Sequence, residues 1–492
     1  MIKNIKWLLL VSLTFVACNN DDETIVSNSS DGAPLTSGTA DFSKYVALGD
    51  SFAAGYSDGA LFMEGQKGSY PNIIAQQFSL LGGGAFTNPF MSSDNVGGFS
   101  LGGAQIPQFG TRLYFNGASP APVSGISGTS ISDKLTGSFS NMGIPGAKAI
   151  HLDFAGYGSS AGNPYFTRFA SSPAATLIDD AIAQSPTFFS LWIGGNDVLG
   201  YATNGGVPTS QDPVLGNDIT PPTTFAFVYN AMIAKLINGG RKGVIANLPY
   251  VNTLPYFTTV PYNPVPLDDA TIALLMDTTT GYGRYNGGLQ LALRNNKISA
   301  DEVAKRTIAF KAGKGNAVVI IDSYLTDLSS LGIPSYRQAT SEDLIVLPAS
   351  SLIGTTVGGD ATKVNGVSVP LADKWVLSKD EISEISSATD AYNLTIKGIA
   401  DANPDSIAFV DTKIIMNSLT SSTGLTSNGF TLRSTYVTGG AFSLDGVHPS
   451  PRGYALIANE FIKAINAKYG SNLKGVDLGN YRILFPANPQ AF

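Results

Sequence analysis

Few residues in this chain are suited to acid–base catalysis near neutral pH. A candidate base and a candidate nucleophile lie far apart in the sequence. Of 492 residues only two are histidine, and one of these, His448, closes the segment Ser443-Leu444-Asp445-Gly446-Val447-His448. Far upstream, the apolar residues 45–48 are followed by Gly49-Asp50-Ser51. A serine hydroxyl is a weak nucleophile until a base takes its proton, and imidazole titrates near neutral pH. His448 is therefore the candidate base for a nucleophilic Ser51, and activity is expected to rise with pH as the imidazole loses its proton.

Four short blocks, rich in glycine and polar residues, contain these two side chains and two further candidates. The blocks are Gly49-Asp50-Ser51-Phe52-Ala53-Ala54-Gly55, Asn141-Met142-Gly143-Ile144-Pro145-Gly146-Ala147, Gly194-Gly195-Asn196-Asp197 and Asp445-Gly446-Val447-His448-Pro449. The first and third directly follow apolar runs, so they are expected at the carboxyl ends of strands, where parallel sheets bind ligands. In this order the blocks resemble those of the SGNH (GDSL) hydrolase family, which contribute Ser, Gly, Asn and His.

The resemblance implies a role for each block. Ser51 would form an acyl-enzyme, His448 would act as base and then as acid, and Asp445 would orient the imidazole. The backbone N–H groups of Ser51 and Gly146 and the side-chain amide of Asn196 would stabilise the oxyanion. One such donor is worth about 3–4 kcal/mol in the nearest measured analogue. Members of the family need no cofactor.

Other residues are expected to stand outside this set. Phe52 occupies the position of a leucine in the family motif, and we expect little effect because that residue is not catalytic. Gly143 is expected in a turn, and His151 is expected to be a structural histidine. The sequence Gly158-Ser159-Ser160-Ala161-Gly162 matches the nucleophile elbow of another hydrolase class. It lacks the flanking strand and helix of that elbow, so Ser160 is expected in a loop.

The N-terminal sequence indicates export. Two lysines precede the apolar residues 7–17, a run too short to span a bilayer stably. Phe15-Val16-Ala17-Cys18 resembles a bacterial lipobox, with Phe15 in place of the commoner leucine. The resemblance implies a signal peptide over 1–17, lipidation at Cys18 and a membrane anchor in the outer membrane; the alternative is an exported protein with an unmodified thiol. The acidic residues 21–23 resemble a signal for export to the cell surface, and a solvated spacer is the alternative.

Composition narrows the range of partners. The formal net charge is −7 and no cluster of Lys and Arg occurs, which argues against a nucleic-acid partner. A single cysteine allows no intrachain disulfide, and two histidines with one thiol do not favour a zinc site. Acidic pairs such as Asp268-Asp269 are expected to be solvated rather than to bind calcium. We therefore expect neither a metal nor a cofactor.

The elements that must position the four blocks follow from periodicity. Buried-strand runs alternate with amphipathic helical patterns, which is typical of a parallel sheet with helices on both faces. Predicted strands are 45–48, 187–193, 243–248, 317–321 and 407–410. Predicted helices are 71–81, 174–183, 223–237, 451–469 and one that starts at Ser378 with a capping box to Glu381. The predicted fold is α/β, a three-layer α/β/α sandwich with a mainly parallel, flavodoxin-like sheet and large loop insertions.

The predicted domain organisation has four parts. The signal peptide covers 1–17, a lipidated flexible tether covers 18–42, the hydrolase domain covers 43–470, and a C-terminal extension covers 471–492. Insertions in the domain are predicted at about 57–140, 250–285 and 324–376, because these stretches break the alternation of strands and helices. The aromatic, Gly-rich residues 82–118 either line a groove for an acyl chain or a glycan or pack within the insertion itself.

The function predicted from these observations is hydrolysis of a carboxylic ester, either of a lipid or of an acylated glycan. A glycan O-deacetylase of the same fold, acyl transfer to another alcohol, and a non-catalytic surface binding lipoprotein are the alternatives. Acyl-chain preference separates lipase-like from deacetylase-like activity, and any turnover that depends on Ser51 excludes the binding protein.

Overall fold

A five-stranded parallel sheet forms the centre of the fold. The computed structural model describes residues 29, 31–210, 212 and 216–492. The sheet strands, in chain order, are β1 (Tyr45–Gly49), β2 (Asn141–Gly143), β3 (Phe188–Trp192), β4 (Lys242–Ala246) and β5 (Ile407–Val410). Their order across the sheet is β5-β4-β3-β1-β2. Every residue of β1 and β3 is buried, which explains why both strands are almost continuously apolar.

Fourteen α-helices occur in the described residues, and we number them α1 to α14 in chain order. They are Ser51–Ala54, Met63–Lys67, Tyr70–Ser79, Pro164–Thr167, Leu177–Ala183, Asn196–Thr203, Pro222–Ile237, Pro255–Thr258, Asp269–Leu275, Tyr282–Arg294, Ala300–Arg306, Lys379–Ala402, Thr412–Thr420 and Pro451–Tyr469. In this part of the chain, no helix is long and apolar enough to cross a membrane.

Seven antiparallel strand pairs lie outside the central sheet in the same described ranges. They join Ser100–Leu101 to Ala104–Gln105, Leu113–Phe115 to Pro120–Pro122, Val265–Leu267 to Gly313–Asn316, Val319–Ile321 to Tyr336–Gln338, Leu344–Ile345 to Val376–Leu377, Thr356–Val357 to Asp360–Val364, and Leu425–Ser427 to Phe430–Leu432. All of them belong to the long connections between elements of the central fold.

The long helices have the terminal residues that the sequence indicates. In the capping box of α12, the Ser378 N–H donates to Glu381 Oε2 at 2.6 Å, and the Glu381 N–H donates to Ser378 Oγ. Helix α14 follows the N-cap Ser450 and ends at Gly470, whose φ of 72° is left-handed. Helix α14 packs against α3, β4 and β5, and α12 packs against α7.

One predicted strand forms but lies outside the central sheet, and one predicted turn is wrong. Val319–Ile321 pairs antiparallel with Tyr336–Gln338 and does not join the central sheet, because a short apolar run does not specify its partner strand. The fifth strand of the sheet is instead β2, which has only three residues. Gly143 is the last residue of β2 and is not in a turn. A Cβ there would lie 2.2 Å from Ala54 N, so only glycine lets α1 pack this closely on β2.

The chain contacts the folded body before the predicted domain start at residue 43. The Thr39 N–H donates to Tyr469 O at 2.8 Å, and Asn472 Nδ2 donates to Pro34 O at 3.0 Å. The Phe42 ring stacks on Phe78 at 4.0 Å between centroids. The predicted signal peptide and Cys18 lie outside the described residues.

The predicted insertions 250–285 and 324–376 are parts of one long connection between β4 and α12. The connection carries helices α8 to α11. It also contains a small buried cluster, separate from the main core, made of Leu289, Ala292, Ile298, Val303, Leu328 and Ile333. The connection therefore has a packed core of its own.

Candidate active site

The sheet brings the first three blocks to one edge. Strand β1 lies between β2 and β3, and Gly49 at its end is in register with both Gly143 and Trp192. The Ile144 N–H also donates to Gly49 O at 3.0 Å. Because the strands are parallel, the residues that follow each of them emerge at the same carboxyl edge. Ser51, Gly146 and Asn196 follow these three strand ends.

Ser51 is the first residue of the short helix α1, directly after the strand. The Asp50 carboxylate caps this helix by accepting from the Phe52 N–H at 3.0 Å. The helix ends at Gly55 with a φ of 81°. A Cβ on Gly55 would lie 2.6 Å from Gly65 O, so both the conformation and the close approach require glycine. The hydroxyl of Ser51 is thus presented by a sharp turn from strand to helix.

Ser51, His448 and Asp445 form a continuous line of hydrogen bonds. Ser51 Oγ lies 2.8 Å from His448 Nε2, and His448 Nδ1 lies 2.9 Å from Asp445 Oδ2. Both distances are within the range expected of a nucleophile, its base and the group that orients the base. The structure therefore brings Ser51 together with Asp445 and His448, which lie almost four hundred residues further along the chain.

Asp445 is held as a carboxylate by its surroundings. Oδ1 accepts from the Val447 and His448 N–H groups at 2.9 and 2.8 Å, and Oδ2 accepts from the Gly59 N–H at 2.9 Å. Burial opposes the charged form, but the charge that His448 can carry and these hydrogen bonds lower the pKa of Asp445 to about 2. An ionised Asp445 only accepts hydrogen bonds, so it keeps the proton of neutral His448 on Nδ1 and leaves Nε2 to accept from Ser51.

The second block forms a tight turn at the same edge. Pro145 and Gly146 are its central residues, and the Ala147 N–H donates back to Ile144 O at 3.0 Å. The φ of 79° at Gly146 is the value that the third residue of a type II turn needs. Among the hydrogen bonds between described residues, the Gly146 N–H makes none. It is therefore available as a donor.

Asn196 begins helix α6, and its amide is oriented by the second block. Asn196 Nδ2 donates one hydrogen to Ala147 O at 2.9 Å, which leaves the other hydrogen of the same nitrogen for a second acceptor. The neighbouring Asp197 is fully buried and accepts from the Ala149 N–H at 2.8 Å. Burial raises the pKa of Asp197 to about 6. One hydrogen bond thus joins the third block to the second, and another joins it to Ala149, two residues beyond the second block.

Residues 57–59, which the sequence does not single out, hold the fourth block. The Asp58 N–H donates to Ser443 Oγ at 3.0 Å, and the Asp58 carboxylate accepts from the Leu444 N–H at 2.8 Å. Gly59 supplies the N–H that reaches Asp445 Oδ2. The only sequence signal is the turn-forming dipeptide Asp58-Gly59, which does not reveal a partner almost four hundred residues away.

His151 and Ser160, two of the residues expected outside the set, have the surroundings of structural residues. His151 is buried, accepts a hydrogen bond at Nδ1 from the Lys148 N–H and stacks on Tyr157 at 4.3 Å. Ser160 lies in a turn without a preceding strand, as predicted. In the segment 82–118, the Phe99 ring packs against Phe109 and Tyr165 at 5.3 and 4.8 Å. These contacts, within the insertion and with helix α4, favour packing over a groove.

An apolar pocket lies beside the aligned side chains. Its cavity volume, taken as the space that the centre of a water-sized sphere can reach, is about 80 Å³. Its walls include Phe52, whose ring centroid is 5.3 Å from that of His448. Phe52, expected to have little effect because it is not catalytic, thus takes part in neither hydrogen bond among the aligned side chains but lies in the wall of this pocket.

Comparisons with known proteins do not identify the chain. No protein-family model matches it, and neither a curated protein nor a solved structure matches it. The functional interpretation therefore depends on the geometry of the site and on the order of the four blocks.

Proposed function

We propose that this chain is a serine hydrolase of the SGNH (GDSL) type that cleaves carboxylic esters through an acyl-enzyme at Ser51. The observation that carries the proposal is the line of hydrogen bonds from Ser51 Oγ through His448 to Asp445, at 2.8 and 2.9 Å. If these three side chains only satisfied one another's hydrogen bonds, they would not need to lie at the carboxyl edge of the sheet. They lie there beside oriented N–H donors that have no hydrogen-bond acceptor among the described residues.

The proposed first half of the reaction forms the acyl-enzyme. Ser51 Oγ attacks the ester carbonyl carbon while His448 Nε2 takes the hydroxyl proton, and the carbonyl oxygen becomes an oxyanion. The donors for that oxyanion are the backbone N–H groups of Ser51 and Gly146 and the free amide hydrogen of Asn196. The intermediate collapses when the C–O bond to the alcohol breaks, and His448 gives its proton to the departing oxygen.

The second half of the proposed reaction hydrolyses the acyl-enzyme. Water attacks the acyl carbon while His448 takes one of its protons, and collapse of the second intermediate returns that proton to Ser51 Oγ. The products are a carboxylic acid and the free enzyme. An alcohol in place of water would make the same steps an acyl transfer.

Two finer aspects of the architecture belong to the same proposal. We infer that the helices α3 and α14 cover one face of the sheet while α7 and α12 cover the other, which would make a three-layer α/β/α sandwich. We also infer export and lipidation at Cys18, from the segment that resembles a lipobox. Incorporation of an alkyne-labelled palmitate into the full chain, and its loss in Cys18→Ser, would test the anchor.

The test of the proposed function uses soluble protein that begins after Cys18. A fluorophosphonate probe transfers its phosphonyl group to an activated serine and releases fluoride, so labelling needs no knowledge of the natural substrate. We expect labelling and hydrolysis of 4-nitrophenyl acetate in the parent, and neither in Ser51→Ala. Ser160→Ala, in the motif that lacks the flanking strand, is the matched control and should keep both. Absence of labelling in a folded parent protein would contradict the proposal.

A further inference from the structure

The apolar pocket beside the site has walls from helices α1, α6, α13 and α14 and from strand ends. Helix α6 contributes Leu199, helix α13 contributes Ile415, Met416 and Leu419, and helix α14 contributes Leu456 and Ile457. The end of β3 contributes Trp192, and the segment after β4 contributes Leu248 and Val251. The pocket thus lies among elements that belong to the central fold.

The pocket adjoins the aligned side chains through their immediate neighbours in sequence. Phe52 follows Ser51, Gly195 precedes Asn196 and Val447 precedes His448, and all three neighbours line the pocket. The Phe52 ring centroid lies 5.3 Å from that of His448 and 4.9 Å from that of Trp192. The phenyl ring of Phe52 therefore adjoins both the imidazole and the pocket.

The indole and hydroxyl groups of the pocket walls, and one oxygen of the Asp50 carboxylate, already have partners within the protein. The Thr412 hydroxyl donates to Asn247 O at 2.6 Å, and Trp192 Nε1 donates to the same oxygen at 3.1 Å. The Asp50 carboxylate accepts from the Phe52 N–H. A sugar placed here would leave its hydroxyl groups without partners, which is costly, whereas a hydrocarbon chain would lose only its contact with water.

We propose that this pocket binds the acyl chain of the ester substrate, that Phe52 is the ring the chain must pass, and that α13 sets the chain length that is accepted. This proposal rests on the proposed hydrolase function. It selects esters of medium or long fatty acids over acetylated glycans as the substrate class. It also assigns a specificity role to Phe52, at the position where the SGNH (GDSL) motif has leucine.

The first experiment measures chain-length preference with 4-nitrophenyl esters from acetyl to palmitoyl. We expect kcat/KM to be higher for medium or long chains than for acetyl in the parent. Met416→Phe adds volume to the pocket-facing side of α13 and should lower the ratio of decanoyl to acetyl turnover by about tenfold or more. Ile414→Phe, on the exposed side of the same helix, is the matched control and should leave the ratio unchanged. Phe52→Leu should shift the preference towards longer chains.

The second experiment measures binding without turnover. The chain contains three tryptophans, and in soluble protein beginning after Cys18 the substitution Trp375→Phe leaves Trp192 alone. In a Ser51→Ala, Trp375→Phe protein, 12-bromododecanoate should quench Trp192 fluorescence in a saturable way, because bromine quenches indole on contact. Unbrominated dodecanoate should compete, and Met416→Phe should weaken the quenching while Ile414→Phe should not.

The two experiments separate failure of the pocket from failure of the hydrolase. Acetyl ester turnover that depends on Ser51, with no chain-length preference and no quenching, would overturn the acyl-chain site and leave the hydrolase standing. Saturable quenching without fluorophosphonate labelling would keep a hydrocarbon-binding pocket and overturn the hydrolase. If Met416→Phe loses acetyl turnover as well, the quenching by 12-bromododecanoate in the Ser51→Ala, Trp375→Phe protein decides alone.

Discussion

At the residue scale, each polar side chain of the site uses some hydrogen bonds to hold its position and keeps another for the reaction. Asn196 gives one amide hydrogen to Ala147 O and keeps the other. Asp445 uses Oδ1 for two backbone N–H groups, while Oδ2 faces His448 and the Gly59 N–H. Each side chain is thus fixed before a substrate arrives, and such preorganisation is what makes donors effective against a developing charge.

The free amide hydrogen of Asn196 leads to a prediction about the transition state. Asn196→Ala removes one oxyanion donor, and we expect kcat to fall about 10²–10³-fold, equivalent to about 3–4 kcal/mol, with KM little changed. Steady-state kinetics on the preferred nitrophenyl ester measure both quantities. Asn204→Ala, at the other end of α6, is the matched control. An effect confined to KM would show that Asn196 binds the ground state instead.

The environment of Asp445 leads to a second prediction. Asp445→Asn keeps the size of the side chain but removes the charge that faces His448 Nδ1, and we expect kcat to fall about 10⁴-fold. Since the pKa of Asp445 is held at about 2, its protonation should add no loss of activity between about pH 4 and 6 in the parent. The pH–rate profiles of both proteins test this, and a break near pH 4 that Asp445→Asn removes would contradict it.

At the scale of elements, residue periodicity predicted those strands and helices whose formation depends mainly on local sequence. Strands β1, β3, β4 and β5 and helix α14 are long apolar or amphipathic runs bounded by turn or cap residues, so their period reveals them. The three residues of β2 are too few to show a periodicity. In the sequence, only their position in the second block singles them out. Residues 57–59 depend on a contact with the far end of the domain, which no local pattern contains.

The contact between residues 57–59 and the fourth block leads to a third prediction. The Asp58 carboxylate accepts from the Leu444 N–H directly before Asp445, so Asp58 is a positioning residue for that carboxylate. We expect Asp58→Ala to lower kcat about 10²-fold through displacement of Asp445, with KM unchanged. Asp58→Asn keeps an oxygen acceptor and should lose less than about tenfold.

A purely structural role for Asp58 would give a different result. In that case both variants would lower the thermal midpoint, while the folded fraction would keep the parental kcat and the parental rate of fluorophosphonate labelling. Measurement of Tm together with the labelling rate distinguishes the two roles.

At the scale of the whole molecule, burial of carboxyl groups around the site affects stability. Burial raises the pKa of Asp50 and Asp58 to about 7 and that of Asp197 to about 6. Asp445 is the exception, since the charge of His448 and the hydrogen bonds it accepts outweigh its burial. At this edge of the sheet, three carboxyl groups thus favour the protonated form and one favours the ionised form.

These opposite shifts predict how stability depends on pH. An unfolded aspartate has a pKa of about 3.9, so above that pH the unfolded chain releases protons that folded Asp50, Asp58 and Asp197 retain. The folded state then binds more protons than the unfolded state, and the free energy of unfolding falls as the pH rises from about 4 to 7. For Asp445 the sign is reversed, and its contribution is lost as the pH falls from about 4 to 2. Stability should therefore be greatest near pH 4.

Urea unfolding between about pH 4.5 and 7.5 tests this expectation. Asp197→Asn remains neutral and still offers an oxygen to the Ala149 N–H, so the variant should lose less stability than the parent over this interval. Asp277→Asn, at an exposed carboxyl whose pKa is lowered by hydrogen bonds from Thr280 and Thr279, is the matched control and should keep the parental slope. If the parent is equally stable at both ends of the interval, the carboxyl groups around the site are ionised at a cost smaller than their burial implies. If the slope persists in Asp197→Asn, the dependence arises from Asp50 and Asp58, and the corresponding Asp58→Asn variant should flatten it.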